Sequence, residues 1–212
     1  MIISLGGSVI TKNGLNVKFL KSIRKLLPKK YVIVCGGGTT AREYIKAGSL
    51  LGLSKNKLDE LGIEATILNA KLVSYALGAR FVQGNPSVTG KLRGKIVIGG
   101  YKPGHTTDYD AVLAAISSRD IIINVSDVKG VYTRDPKKYK NAKLIRKMTY
   151  DDYLNMFKGY KPGEHIPFDV SAMQLAKKYN IRIIFVDETN FKHLLNNKAF
   201  IGTTIASKHE TH

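Results

Sequence analysis

The run YVIVCGGGTTAREYI, residues 31 to 45, decides how this chain is read. Tyr31, Val32, Ile33, Val34 and Cys35 form a continuous apolar run without polar alternation, as in a parallel strand covered on both faces. Three glycines close it, and a helix is expected to follow from residue 39 to about 51. Strand, glycine turn and helix in direct succession bring backbone N–H groups and a helix N-terminus to one point, an arrangement suited to anions.

The same grammar extends in both directions. Ile2, Ile3, Ser4 and Leu5 lead into Gly6-Gly7-Ser8. Asn16 can cap a helix carrying Phe19, Leu20, Ile23, Leu26 and Leu27, which Pro28 should stop. Ser54 can cap a longer helix with Leu58, Leu61, Ala65, Leu68, Leu72, Val73 and Leu77, ending at Gly78. Strands are expected over residues 80–83, 95–98, 121–125 and 181–186. The stretch from 84 to 94 reads as turn-rich. Thr149 and Asp152 have capping-box spacing, and helices are expected over 171–179 and 191–195. Strands alternating with helices predict an α/β fold, a three-layer αβα sandwich on a mainly parallel sheet. No linker, repeat or low-complexity tract divides the chain, so one domain over 1–212 is expected.

Composition narrows the function. With 34 Lys+Arg against 16 Asp+Glu, the net charge is +18, which favours anionic partners. The excess is mostly lysine, 26 against 8 arginines, spread along the chain. No basic stripe interleaved with aromatics is visible, so nucleic acid is not the expected partner. The single cysteine, Cys35, excludes an internal disulfide and a Cys-rich zinc site, and suits a reducing compartment. No apolar run is long enough to span a bilayer, so no membrane partner is expected. The N-terminus shows no leader pattern, so a cytoplasmic location is expected.

Ligands of such sheets sit at the carboxyl ends of the strands. The informative residues are therefore 6–8, 36–40, 99–108 and 126–136. Glycine-rich ends on successive strands point to a site for several phosphates. The spacing matches neither G-x-x-x-x-G-K-[ST] nor G-x-G-x-x-G, so a P-loop and a dinucleotide fold are both excluded.

LGGSVI, VIVCGGGTTAREYI, GGYKPGHTTDYDAVLAA, INVSDVKGVYTRDPKK and IGTTI follow one another in the order of the amino-acid kinase superfamily. The chain resembles that family over nearly its whole length, most closely the archaeal type of UMP kinase. PGHTTD is the narrower marker; DVKGVYTRDP is shared with relatives that act on other substrates. The resemblance implies direct in-line transfer of the ATP γ-phosphoryl group to the α-phosphate of UMP, with Mg²⁺ and no covalent enzyme intermediate. It assigns ATP contacts to Gly6, Gly7, Ser8, Gly38, Arg42, Ser126, Tyr132 and Asp135. It assigns UMP contacts to Gly37, Asp59, Tyr101, Lys102, Pro103, Gly104, His105, Thr106 and Thr107. Asp127 matches the family's organising aspartate, and a homohexamer is implied. The N-terminal part would mainly bind UMP and the C-terminal part ATP.

Each assignment has a plainer reading from the residues alone. Arg42 and Asp59 equally suit exposed helix positions, and Thr107 with Asp110 equally forms a capping box. Tyr132 equally suits a core and Asp135-Pro136 a turn. The pattern also breaks. The family usually carries a lysine two residues before the first glycine pair, where this chain has Ser4. Lys12 is the nearest basic residue beyond that loop and the candidate substitute. Gln174 stands where many relatives have a second lysine. Two other functions compete: a sibling phosphotransferase such as isopentenyl phosphate kinase, and a non-catalytic nucleotide-binding or nucleic-acid-binding protein suggested by Ser4 and the charge. The first uses a histidine near the second glycine loop, and none lies between residues 36 and 104.

Overall fold

A computed structural model describes residues 1–11, 14–89, 91–160 and 166–208. The elements run β1 (Ile2–Leu5), α1 (Gly7–Thr11), α2 (Val17–Ile23), β2 (Tyr31–Cys35), α3 (Gly38–Leu50), α4 (Lys55–Leu77), β3 (Arg80–Phe81) and α5 (Pro86–Thr89). They continue β4 (Lys95–Ile98), α6 (Thr107–Ser118), β5 (Ile122–Ser126), β6 (Lys147–Thr149), α7 (Tyr150–Met156), α8 (Val170–Lys178), β7 (Ile183–Asp187), α9 (Glu188–Leu195) and β8 (Thr203–Ala206).

One sheet of order β3-β4-β2-β1-β5-β7-β8-β6 contains all the described strands. Every pairing is parallel except β7 with β8. The uninterrupted apolar runs are thereby explained. Ile2, Val32, Ile96 and Ile122 pack under α6 and α8, while Ile3, Ile33, Val97 and Ile123 pack under α2 and α4. Burying one such aliphatic side chain is worth about 1.5–3 kcal/mol. Two apolar layers on one sheet therefore hold the mainly parallel αβα sandwich together.

Most expected elements stand close to where the residues place them. The Asn16 side chain accepts the Phe19 amide, Thr149 and Asp152 complete their capping box, and Gly78 ends α4 at φ 63°. Three differences have physical causes. Helix α2 ends at Ile23, not at Pro28: the Leu26 and Leu27 amides turn back onto the Ile23 carbonyl, yet Leu27 still faces the core. The strand expected over 80–83 has two residues, because β3 is the sheet edge. The turn-rich stretch contains α5, opened by Pro86, with the Ser87 amide donating to Asn85 Oδ1.

Candidate active site

The centre of the site is a backbone-to-backbone contact. The Gly6 amide donates to the Val125 carbonyl at 2.8 Å and the Gly36 amide to the Leu5 carbonyl at 2.9 Å. The loops after β1, β2 and β5 are thus laced side by side. A Cβ on Gly7 would lie 1.9 Å from the Gly38 nitrogen, and Gly38 itself has φ 64°. Only glycine permits this approach and this backbone angle. Thr11 Oγ1 fastens it, donating to the Gly7 carbonyl and accepting the Thr39 amide, both at 3.0 Å. Gly6, Gly7, Ser8, Gly37 and Gly38 therefore share one edge, beside the N-terminus of the 13-residue helix α3.

Helix α4 ties this core to the loop after β4. Asn69 Nδ2 donates to the Gly36 and Gly37 carbonyls at 2.8 and 3.1 Å. Thr66 Oγ1 accepts the Gly100 amide at 2.6 Å, and Asp59 Oδ2 accepts the Gly104 amide at 3.2 Å. Asp59 is therefore not a free-standing helix charge: it sits against the loop spanning Tyr101, Lys102, Pro103, Gly104, His105, Thr106 and Thr107.

A fully buried carboxylate organises that loop. Asp110 accepts the Tyr101 amide at 2.9 Å and pairs with His105 Nδ1 at 3.1 Å. Burial raises its pKa, and the contacts to His105 and Tyr101 oppose the rise. The His105 ring packs 4.7 Å from Tyr109 and 6.0 Å from Tyr101. Lys102 Nζ lies 5.6 Å from the Tyr101 ring centre. The capping box expected of Thr107 and Asp110 does not form. Thr106 is the cap, accepting the Tyr109 amide at 3.2 Å, because Asp110 is drawn inward to Tyr101 and His105.

Across the glycines, the loop after β5 forms the opposite flank. Asp127 Oδ2 receives Lys137 Nζ at 2.6 Å, and Asp135 Oδ1 accepts the Lys137 amide at 2.9 Å. Asp135-Pro136 is thus a turn, and it roots the lysine. Ser126 Oγ donates to the Val128 carbonyl at 3.0 Å. Tyr132 is half-buried, bridges to Leu144, and has its pKa raised by burial and by the charge of Asp187. Arg42, one turn into α3, is exposed and donates to Thr39 Oγ1 at 3.1 Å. Lys12 lies outside the described residues.

Ser4 is buried in β1, and its Oγ donates to Asp108 Oδ1 at 3.1 Å. The other Asp108 oxygen accepts the Asp169 amide at 3.1 Å. Burial pushes the Asp108 carboxyl up to about 7, against the pull of those two donors; nearby Asp169 and Asp110 add to the rise. No group of three or more His, Cys, Asp or Glu able to hold a metal occurs among the described residues. Asp127 follows two residues after Val125, whose carbonyl holds the Gly6 amide, and so brings a carboxylate to the loop beside the glycines. One carboxylate fits a Mg²⁺ that arrives on a nucleotide, held mainly by phosphate oxygens and water.

The readings from sequence did not single out Thr11, Thr66 or Asn69 as parts of this edge; they placed Asp108 in the loop after β4 without a role and gave Asp110 only a helix-capping one. Their signal was present: Thr66 and Asn69 interrupt the buried stripe of α4 that includes Ala65, Ala70 and Val73. A buried polar residue in such a stripe needs a partner, here the backbone of the glycine loops.

Residues 1–187 match the Amino acid kinase family. The chain is 36% identical to a uridylate kinase of Thermoplasma volcanium, with 98% of each chain covered. It is 35% identical to one of Methanobrevibacter smithii, covering 98% of this chain and 99% of the relative. A crystal structure of uridylate kinase from Archaeoglobus fulgidus superposes with a TM-score of 0.81 at 30% identity, covering 97% of this chain and 99% of that one.

Proposed function

The chain belongs to the amino acid kinase family, and we propose that within it the protein is a UMP kinase, passing the γ-phosphoryl group of ATP to UMP. The observation that carries the reading is the acceptor flank: Asp59 and Asp110 both fasten the loop 101–107, next to two glycine loops in backbone contact. The curated relatives, uridylate kinases at 35–36% identity over nearly the full length, support the same activity.

In this reading a UMP α-phosphate oxygen attacks the γ-phosphorus in line. The bond to the β,γ-bridging oxygen breaks, leaving ADP and UDP. An ionised phosphate needs no base, so His105 serves as a packed and paired wall of the loop and transfers no proton. Gly37, Asp59 and residues 101–107 hold UMP. Gly6, Gly7, Ser8, Gly38, Arg42, Ser126, Tyr132 and Asp135 hold ATP, which brings Mg²⁺, and Asp127 orients the groups around its phosphates. One domain, UMP-binding in its N-terminal part and ATP-binding in its C-terminal part, carries the reaction. UDP is the first step from UMP toward the other pyrimidine nucleotides. A buried, free Cys35 suits a cytoplasmic enzyme. No described helix is long and apolar enough to cross a membrane.

A homohexamer is part of the proposal. Tyr44, Leu50 and Leu51 of α3 and its cap, with Leu68 and Tyr75 of α4, are each more than half exposed. Large apolar side chains grouped on two packed helices suit contacts between copies.

Asp59 offers the sharpest test of the acceptor. One of its oxygens already holds Gly104, and the side chain faces the loop assigned to UMP. As the acceptor of both ribose hydroxyls it would lose a partner with dUMP, at a cost of about 1–3 kcal/mol. The enzyme should therefore prefer UMP over dUMP by roughly tenfold to a hundredfold in kcat/KM. Asp59→Asn should blunt that preference with the ATP KM nearly unchanged, and Glu60→Gln should leave it intact. A loss of preference in Glu60→Gln alone would move the role by one residue. Retention in both variants would remove α4 from ribose recognition.

A further inference from the structure

We propose that Lys137 supplies the positive charge that β1 lacks, moving from Asp127 onto the γ-phosphoryl group of bound ATP. The inference rests on the kinase reading above and adds a residue to it.

Position 4 offers no cation: Ser4 is 4% exposed and its hydroxyl is committed to Asp108. Charge must still be met where the phosphoryl group transfers, because its oxygens gather it in a site with little covalent chemistry. The end of β5 is pinned to the glycine core through the Gly6 amide and the Val125 carbonyl, 2.8 Å apart. Asp127 follows two residues later and brings Lys137 Nζ to 2.6 Å.

The lysine is placed by its turn as well as by its charge. Asp135 Oδ1 accepts the Lys137 amide at 2.9 Å. The Asp135 carbonyl accepts the Lys138 and Tyr139 amides at 3.2 and 3.0 Å. Its root is therefore fixed while its side chain stays 45% exposed. The Asp127 side chain is 14% exposed, but the lysine end of the pair is open to water, and that screening limits what the pair adds to stability. An ammonium on a four-carbon stem is a mobile point charge, suited to leaving a carboxylate for a more highly charged phosphate.

The ammonium keeps its protons throughout. The new bond joins the UMP α-phosphate oxygen to the γ-phosphorus, and the electron pair of the broken bond leaves on the β-phosphate oxygen of ADP. Lys137 acts on the charge of that transfer and on nothing that titrates.

The test uses the full chain with Lys137→Met and Lys137→Arg. Steady-state kinetics are combined with calorimetric binding of Mg-ADP and of Mg-AMPPNP, the imido analogue that retains a γ-phosphoryl group. In Lys137→Met, kcat should fall by about a hundredfold, the scale of losing one preorganised charge donor. UMP KM should stay within about twofold, and AMPPNP affinity should fall by about tenfold while ADP affinity changes less than about twofold. Lys137→Arg should restore most of the AMPPNP affinity. Equal weakening of ADP and AMPPNP would mean that the lysine only shapes its turn, and would overturn the proposal. So would a wild-type kcat in Lys137→Met. Should the unaltered protein fail to phosphorylate UMP, the acceptor assignment falls, while the ADP and AMPPNP comparison still decides Lys137.

Discussion

Gly7→Ala should leave kcat/KM at least about a thousandfold below the unaltered protein, a loss of ~4 kcal/mol in transition-state stabilisation. The added Cβ would stand 1.9 Å from the Gly38 nitrogen, 2.4 Å from its Cα and 2.7 Å from the Gly37 carbonyl carbon. All three are backbone atoms, so no side chain can swing aside. The two loops would have to part by more than an ångström. They are tied together by the Gly36 amide on Leu5 and by Thr11, which donates to the Gly7 carbonyl and accepts the Thr39 amide, while Asn69 holds Gly36 and Gly37 against α4. Stability should fall by more than the ~1–3 kcal/mol usual for overpacking. Gly62→Ala is the control. Its Cβ would first meet the end of the Ile45 side chain, at 3.2 Å, within a helix that favours alanine. Thermal melts and kcat/KM should leave Gly62→Ala near the unaltered protein. Gly7→Ala activity within tenfold of it would mean that the contact between the loops is not essential.

Asp110→Asn should raise the UMP KM by about tenfold to a hundredfold, from a buried pairing lost at ~1–3 kcal/mol. The carboxylate accepts on both oxygens, from Tyr101 N–H and from His105 Nδ1. An amide can accept at only one of them, so its NH₂ must face the Tyr101 amide or the imidazole. The loop 101–107 then either loses the Tyr101 anchor or keeps a neutral, weaker bond in which the imidazole accepts at Nδ1, while Thr106 still caps α6. The ATP KM should change less than about twofold, because the donor flank hangs from β5 and not from α6. Equal shifts in both KM values would show that Asp110 supports the whole fold and not the acceptor loop.

The central sheet was legible because its strands are covered on both faces. Tyr31 to Cys35 has no polar residue to disguise it, and β2 lies between β1 and β4 as such a run demands. Towards β6, legibility fades. Lys147–Thr149 has three residues, and Thr203–Ala206 begins with two threonines, so neither looks like a buried strand; their pairing partners make them strands. Thr203 is buried for a reason outside its own segment: its hydroxyl donates to the Ile145 carbonyl and accepts the Val131 amide. The glycine loops of the site were legible from their place after apolar runs. The side chains that fasten them were not, since Asn69 and Thr11 are ordinary residues until the fold brings a distant carbonyl or amide beside them. Thr107 and Asp110 illustrate the same limit. Their spacing satisfies a local capping rule, and a tertiary demand on Asp110 overrides it.

ADP release with ATP and each of UMP, CMP, dUMP and isopentenyl phosphate measures the choice of acceptor directly. UMP should give the highest kcat/KM, with dUMP lower by roughly tenfold or more and isopentenyl phosphate near background. Rapid turnover of isopentenyl phosphate without turnover of UMP would contradict the account, and so would the absence of ADP release with every acceptor.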